Sequence, residues 1–276
     1  MIHLTCNEGR IMQSSTILSV RNVCKTFPTR GGGVEALRDV SFSVARNELC
    51  VLLGPSGCGK STLLNIVAGL HTPTSGSLSL EGRPIHGPAR ERGMVFQSYT
   101  SFPWLTVLEN VEYGMKLNGI PKAERRERAL HYIGLVHLTK FRDAYPKTLS
   151  GGMKQRVAIA RTLANAPEIL LMDEPYGALD AETRWHMQEM LLEILRTTQT
   201  TILLVTHDIQ EAIFLADRIV FLSAHPGRLK TILELDFKKG KEIRSKEDLV
   251  ELAGYPECER EIMQLMRGEA KLEEDA

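Results

Sequence analysis

The densest chemistry in this sequence lies in Gly54-Pro55-Ser56-Gly57-Cys58-Gly59-Lys60-Ser61-Thr62, set between the apolar run Leu49 to Leu53 and the helix-like stretch Leu63 to Ala68. The spacing G-x-x-x-x-G-K-[ST] meets the needs of phosphate binding. Glycines let the backbone curl until several N–H groups face one anion, and the helix that follows adds its positive N-terminal end. In such a loop Lys60 reaches the β- and γ-phosphates of a nucleotide, Ser61 offers its hydroxyl to Mg2+, and Thr62 steadies the turn. A plain glycine turn is the alternative, and the strand before it and helix after it argue against that. Cys58 puts a thiol beside the phosphates that an alkylating agent could reach, although a neutral variable position is the plainer reading.

An acidic pair, Asp173-Glu174, ends another apolar run, and His207-Asp208 follows a third. The runs Leu49 to Leu53, Ile169 to Met172 and Thr201 to Val205 read as buried parallel strands. In open α/β sheets ligands bind outside the carboxyl ends of the strands, so Gly54 to Ser61, Asp173-Glu174 and His207-Asp208 are expected to share one crevice. The acidic pair, unpaired in the sequence, has few structural explanations at a strand end. A carboxylate beside a γ-phosphate can orient and polarise an attacking water, which suits Glu174 to the part of general base. Asp208 with Glu211 reads as a capping box for the next helix.

The remaining sequence bounds the setting. A chain of 276 residues, 43% hydrophobic, can bury a sizeable core. Its 34 basic and 34 acidic residues cancel, so no global charge points to nucleic acid or an anionic membrane surface. Five scattered cysteines without a C-x-x-C pair argue against zinc and a disulfide framework, and fit a reducing cytosol. No apolar stretch approaches the roughly 20 residues needed to span a bilayer, and Met1 to Ser15 lacks the pattern of an export signal. Residues from about Tyr99 to Ala166 look mostly helical, with Glu124-Arg125-Arg126-Glu127-Arg128 as a solvated face before apolar Ala129, Leu130 and Ile133. Short alternating pieces, Ile17 to Val23 and Val40 to Val44, suggest a small antiparallel sheet. The tail carries a capping box from Ser245 to Asp248 and an amphipathic stretch around Ile262, Leu265 and Met266, which reads as a docking helix with an acidic end.

Leu149-Ser150-Gly151-Gly152-Met153-Lys154-Gln155-Arg156 opens a helical pattern that stops before Pro167, with Ser150 at the N-cap. Together with the phosphate loop, this segment resembles the LSGGQ signature of the ATP-binding cassette family; Met153 stands where that family most often has Gln. The resemblance covers roughly residues 17 to 230 and implies an α/β fold: a P-loop ATPase core with a small antiparallel β subdomain and an inserted α-helical subdomain. The implied divisions are 17–97 with 167–235 for the core, 98–166 for the helical subdomain with the signature, 236–276 for a C-terminal tail and 1–16 for an N-terminal extension. It implies that adenine stacks on Phe27, that Gln97 reaches Mg2+ and the attacking water, that Asp173 holds Mg2+, and that Glu174 is the base. His207 is implied to contact the γ-phosphate, Asp180 to lie in a loop that crosses to a second subunit, and Ser150, Gly151 and Gly152 to face ATP held by Lys60 of that second copy. An isolated aromatic such as Phe27 is otherwise a core residue, and Asp180 an ordinary helix cap.

Residues Gln97 to Val111 and His225-Pro226-Gly227-Arg228 are similar to the nitrate, sulfonate and taurine importer branch. That likeness implies an ATPase with ATP and Mg2+ as its ligands. It would sit peripherally on the cytoplasmic face of the inner (plasma) membrane, paired with separate permease subunits and, indirectly, an extracytoplasmic solute-binding protein. Phe102 and Trp104 would help form a groove for a short permease helix. The alternative, a soluble cassette ATPase acting on nucleic acid or ribosomes, calls for a long coiled-coil insertion, zinc cysteines or a second cassette, and none is visible. Another P-loop enzyme, a kinase or GTPase, leaves Leu149 to Arg156 without a purpose.

Overall fold

The computed structural model describes residues 16–29, 32–98 and 100–274. The N-terminal readings on Met1 to Ser15, Cys6 among them, the placement of Tyr99 and the acidic end of the tail fall outside what it describes, wholly or in their side chains. Along the chain come β1 (Thr16–Thr29), β2 (Gly32–Ala45), β3 (Leu49–Leu53), α1 (Lys60–Val67), β4 (Ser75–Leu80), β5 (Arg83–Pro84) and β6 (Arg92–Val95). Then follow α2 (Val107–Leu117), α3 (Lys122–Leu135), α4 (Gly151–Leu163), β7 (Ile169–Asp173), α5 (Ala181–Thr198), β8 (Thr201–Thr206) and α6 (Ile209–Leu215). The last elements are β9 (Arg218–Leu222), β10 (Leu229–Glu234), α7 (Lys246–Val250) and α8 (Tyr255–Glu274).

Two sheets result, one ordered β10-β9-β3-β8-β7-β6 and one ordered β2-β1-β4-β5. In the first, β9, β3, β8, β7 and β6 run parallel and only β10 is antiparallel. The strands β3, β7 and β8 are apolar through their middles because both of their faces are covered by packed elements. Leu49, Val51 and Leu53 point into one core with α2 to α6 and α8, whereas Cys50 and Leu52 point into a second core with α1, β1 and β2. The pairing Leu53 to Thr206, Asp173 to Val205 and Val95 to Met172 brings four strand ends level. Gly54, Glu174, His207 and Phe96 therefore leave the sheet along one edge.

The structure departs from the sequence reading in several places. The antiparallel sheet is larger than the two short pieces, because β1 and β2 stay paired along fourteen residues each, past register breaks between Val20 and Val23. Parallel strands β6 and β9 lie beside the three expected ones. In the helical insertion, α2 begins with a full capping box between Thr106 and Glu109, and Asn110 ties down the preceding turn by bonding Phe102 and Leu105. On the charged face of α3, Glu124, Arg126 and Glu127 are exposed, Arg128 is half-buried, and Arg125 turns inward to Glu112 at 3.4 Å. Ala129 and Ile133 on its other side are buried. The tail forms the expected box at Ser245 and Asp248, and Ile262 of α8 is buried in the same core as Phe214 and Leu235. Among the described residues no helix is long and apolar enough to cross a membrane.

Candidate functional site

The phosphate loop connects the end of β3 to the first turn of α1, whose N-cap is Gly59. Gly59 has φ of 90°, and a Cβ there would lie 2.8 Å from the Ala36 carbonyl oxygen, so only glycine fits. Lys60 is 5% exposed and its ammonium donates to the carbonyls of Gly54 at 2.8 Å and Pro55 at 2.6 Å. The lysine thus lies folded across its own loop, in place to exchange carbonyl partners for phosphate oxygens. Ser61 donates from Oγ to Asp173 Oδ1 at 2.8 Å. Two hard oxygen donors from remote segments stand side by side, the donor type a small divalent cation selects. Burial pushes the Asp173 carboxyl up from its usual range, opposed by the Ser61 hydrogen bond.

Glu174 follows at the strand end with φ of 41°, a left-handed conformation that costs about 1–3 kcal/mol in a non-glycine residue. Its N–H donates to Val205 O at 3.0 Å, which fixes the residue against β8. Its carboxylate lies 3.2 Å from His207 Nδ1, so neither acid of the pair is unpaired, as the sequence alone had implied: tertiary structure supplies Ser61 to one and His207 to the other. The His207 ring is 55% exposed and faces open space above the sheet edge. Gln97 is also exposed, and its Nε2 and Glu174 Oε2 lie 3.5 and 3.8 Å from the point where a Cβ of Gly177 would stand. Lys60, Ser61, Gln97, Asp173, Glu174 and His207 are thereby gathered at one sheet edge. The arrangement pairs a cation and backbone N–H groups for phosphates with a fixed carboxylate for water.

Other candidate residues lie apart from this group. Phe27 is half-buried outside both cores, edge-on to His71 at 5.7 Å and 4.9 Å from the Lys25 ammonium, which leaves part of its ring free to stack. Asp180 caps α5 by accepting the Thr183 N–H at 2.9 Å, a bond that holds its carboxyl below the usual range. Ser150 caps α4 by accepting the Met153 N–H at 3.3 Å and is exposed. Gly152 faces Thr183 of α5 and not the phosphate loop. Among the described residues no hydrogen bond or ion pair joins residues 150–152 to residues 54–62.

One expectation needs correction, and one open alternative is decided against. Asp208 caps α6 through the Glu211 N–H at 3.0 Å, but its own N–H donates to Thr206 Oγ1 and the box does not close. Glu211 turns inward instead, 4% exposed and bonded to Gln188 at 2.9 Å, and burial pushes its carboxyl up. Cys58 is fully buried, with Sγ 3.6 Å from the Lys60 ammonium, and burial raises its thiol in spite of that cation. Iodoacetamide at neutral pH is therefore expected to leave Cys58 unmodified in the folded protein and to label it after denaturation. Peptide mass spectrometry reads the result; rapid labelling in the native state would show the loop to be open.

Sequence reasoning missed the support under the phosphate loop. Gly227 N–H donates to Ala36 O at 3.0 Å and its carbonyl accepts from Arg38 N–H at 2.9 Å, which fastens residues 225–228 below Cys58. The signal was present in His225-Pro226-Gly227-Arg228, but it spoke only of likeness and not of position.

Comparison with known proteins bears on the family of the chain. The ABC transporter family profile matches residues 37–177. An uncharacterised ABC transporter ATP-binding protein of Methanocaldococcus jannaschii is 49% identical over 91% of this chain and 92% of its own length. A nitrate import ATP-binding protein of Synechocystis is 44% identical over 94% of this chain and 98% of its own. A taurine import ATP-binding protein of Yersinia pestis is 52% identical over 74% and 80% respectively. A solved dimeric ATP-binding cassette in a post-hydrolysis state, bound to ADP and Pi, superposes with a TM-score of 0.70 at 34% identity, covering 79% of this chain and 99% of that one. With a relative at 49% identity over nearly its whole length and a family profile that spans residues 37–177, the chain belongs to the ABC transporter family.

Proposed function

We propose that this chain is the ATP-hydrolysing subunit of an importer for a small anionic solute of the nitrate, sulfonate or taurine class, driving a separate membrane permease from its cytoplasmic face. The observation that carries the ATPase reading is the level register of β3, β7 and β8, which brings the segments bearing Lys60, Asp173-Glu174 and His207 to one sheet edge. The named import proteins at 44% and 52% identity support the solute class. In this reading 17–97 and 167–235 form the nucleotide core, 98–166 the helical subdomain, 236–276 the tail and 1–16 an extension.

Each residue then has a task. The N–H groups of Gly54, Ser56, Gly57, Cys58, Gly59, Lys60, Ser61 and Thr62 and the Lys60 ammonium take the phosphates, Pro55 stiffens the loop between them, and Phe27 stacks on adenine. Ser61 and Asp173, with Gln97, would hold Mg2+, which when bound neutralises phosphate charge. Glu174 accepts the proton of the attacking water and His207 holds the γ-phosphate side in place. Ser150, Gly151 and Gly152 act on the nucleotide of a second copy docked head to tail, with Asp180 near that junction. ATP between the copies favours the closed pair, and its hydrolysis removes that preference.

Permease contact fits a groove of about 510 Å3 lined by Arg90, Met94, Phe102, Tyr113, Leu117 and Arg161. Arg161 is fixed there by Thr100 at 2.7 and 2.6 Å and lies 5.3 Å from the Phe102 ring. Trp104, 69% exposed and 5.6 Å from Phe102, flanks this groove as a free aromatic anchor. Trp104→Ala is expected to weaken retention by co-expressed permease roughly tenfold or more while leaving ATP affinity unchanged. Copurification from membranes tests this, and full retention would remove Trp104 from the interface. Hydrolysis stimulated by nucleic acid, with no retention by any permease, would favour the soluble alternative.

A further inference from the structure

The floor beneath the phosphate loop is built by a remote segment. β9 ends at Leu222, whose carbonyl oxygen stands 2.5 Å from where a Cβ on Gly54 would sit. Further on the backbone returns, and a Cβ on Gly227 would fall 2.0 Å from the Cys58 carbonyl oxygen. Both ends of 222–228 press on the backbone of the phosphate loop, so a shift of one displaces the other. Within this segment Ser223 N–H donates to Arg228 O at 2.9 Å, closing it into a compact turn.

On its outer side the turn is gripped by a side chain from α8. Glu269 is 1% exposed; its Oε2 accepts the Ala224 N–H at 2.6 Å and its Oε1 pairs with the Lys230 ammonium. A buried carboxylate is tolerated only where its oxygens are occupied in this way, and such bonds are stronger than neutral ones. The other end of the helix is tied to α6, whose Gln210 donates to Glu259 at 3.4 Å, a carboxylate that Tyr255 of α8 itself also holds at 2.9 Å. The tail helix thus spans from the element that follows His207 to the floor of the phosphate loop.

We propose that Glu269 is a positioning residue for nucleotide binding: through Ala224 it fixes 222–228, and through that turn it sets the backbone from Gly54 to Gly59 that receives the phosphates. This rests on the reading of residues 54–62 as the phosphate site. Glu269 touches no reacting atom, so its effect falls on affinity and not on turnover at saturation.

Calorimetric titration of the purified full chain with ATP and Mg2+, with steady-state hydrolysis alongside, tests this. Glu269→Ala is expected to weaken ATP binding about tenfold with kcat within about twofold of wild type. Glu269→Gln, whose amide oxygen still accepts from Ala224, recovers most of the affinity. Ile262→Ala removes a buried side chain from the same helix, away from the turn, and should lower Tm without changing affinity. Wild-type affinity in Glu269→Ala overturns the proposal, as does an equal loss in Ile262→Ala. Should Glu269→Ala not fold, Glu269→Asp takes its place, its shorter arm pulling the turn outward; unchanged affinity there is equally fatal. Unchanged affinity in Lys60→Ala would instead refute the phosphate-site reading itself.

Discussion

Glu174→Gln is expected to lower ATP turnover by about 10²–10⁴-fold, the range ascribed to a lost general base, while ATP binding persists. Glutamine keeps the size of the side chain and the bond from the Glu174 N–H to Val205 O, and it occupies the same backbone at φ of 41°. What it loses is the capacity to accept a proton. A loss of 10² corresponds to about 2.7 kcal/mol in the barrier, well above the few tenths expected from a surface Glu-to-Gln change. The imidazole at 3.2 Å keeps a hydrogen-bond acceptor in the amide oxygen, so His207 need not move. Because hydrolysis is what releases the closed pair, an ATP-bound dimer should accumulate and elute early in gel filtration. Phosphate release at the wild-type rate would sink the base assignment and return Glu174 to the status of a strained strand end.

Much of this site was legible because its parts are local. The loop from Gly54 to Thr62 is contiguous, and the strand ends at Asp173 and Thr206 follow uninterrupted apolar runs, so their convergence needed only the rule that parallel strands share a carboxyl edge. What escaped depended on contacts between distant segments. The pattern Asp208 to Glu211 is the same whether the glutamate turns back on the cap or inward, and Gln188 of α5 decides it. β6 is Arg92-Gly93-Met94-Val95, four residues with a charge and a glycine, and it exists as a strand because β7 pairs with it. Only two residues, Ala216 and Asp217, separate the end of α6 from the start of β9, so the periodicities of helix and strand merge. Phe27 stayed ambiguous for a related reason: sequence could not say that both cores would close without it.

The second large effect concerns Ser150 and Lys60 together. Within one chain Ser150 is spent on capping α4, its side chain is exposed, and Gly152 packs on α5, so the signature has no task toward its own phosphate loop. A helix N-terminus nonetheless carries about half a positive charge, which is worth most when an anion is brought to it. Lys60→Ala and Ser150→Arg should each abolish turnover alone, the first by removing the phosphate cation, the second by filling the N-terminus with a bulky side chain. Mixed, they separate two architectures. If each site lies within one chain, every site in the mixture is damaged and the rate stays at background. If each site joins the loop of one copy to the signature of the other, one site of the mixed dimer has both parts intact and the other has neither. Random pairing then restores about a quarter of the wild-type rate when the two sites act independently, and less when they cooperate. Hydrolysis measured on a one-to-one mixture against each variant alone decides the matter: recovery requires a loop and a signature from different chains, and a mixture as inactive as its components would leave the head-to-tail dimer without support.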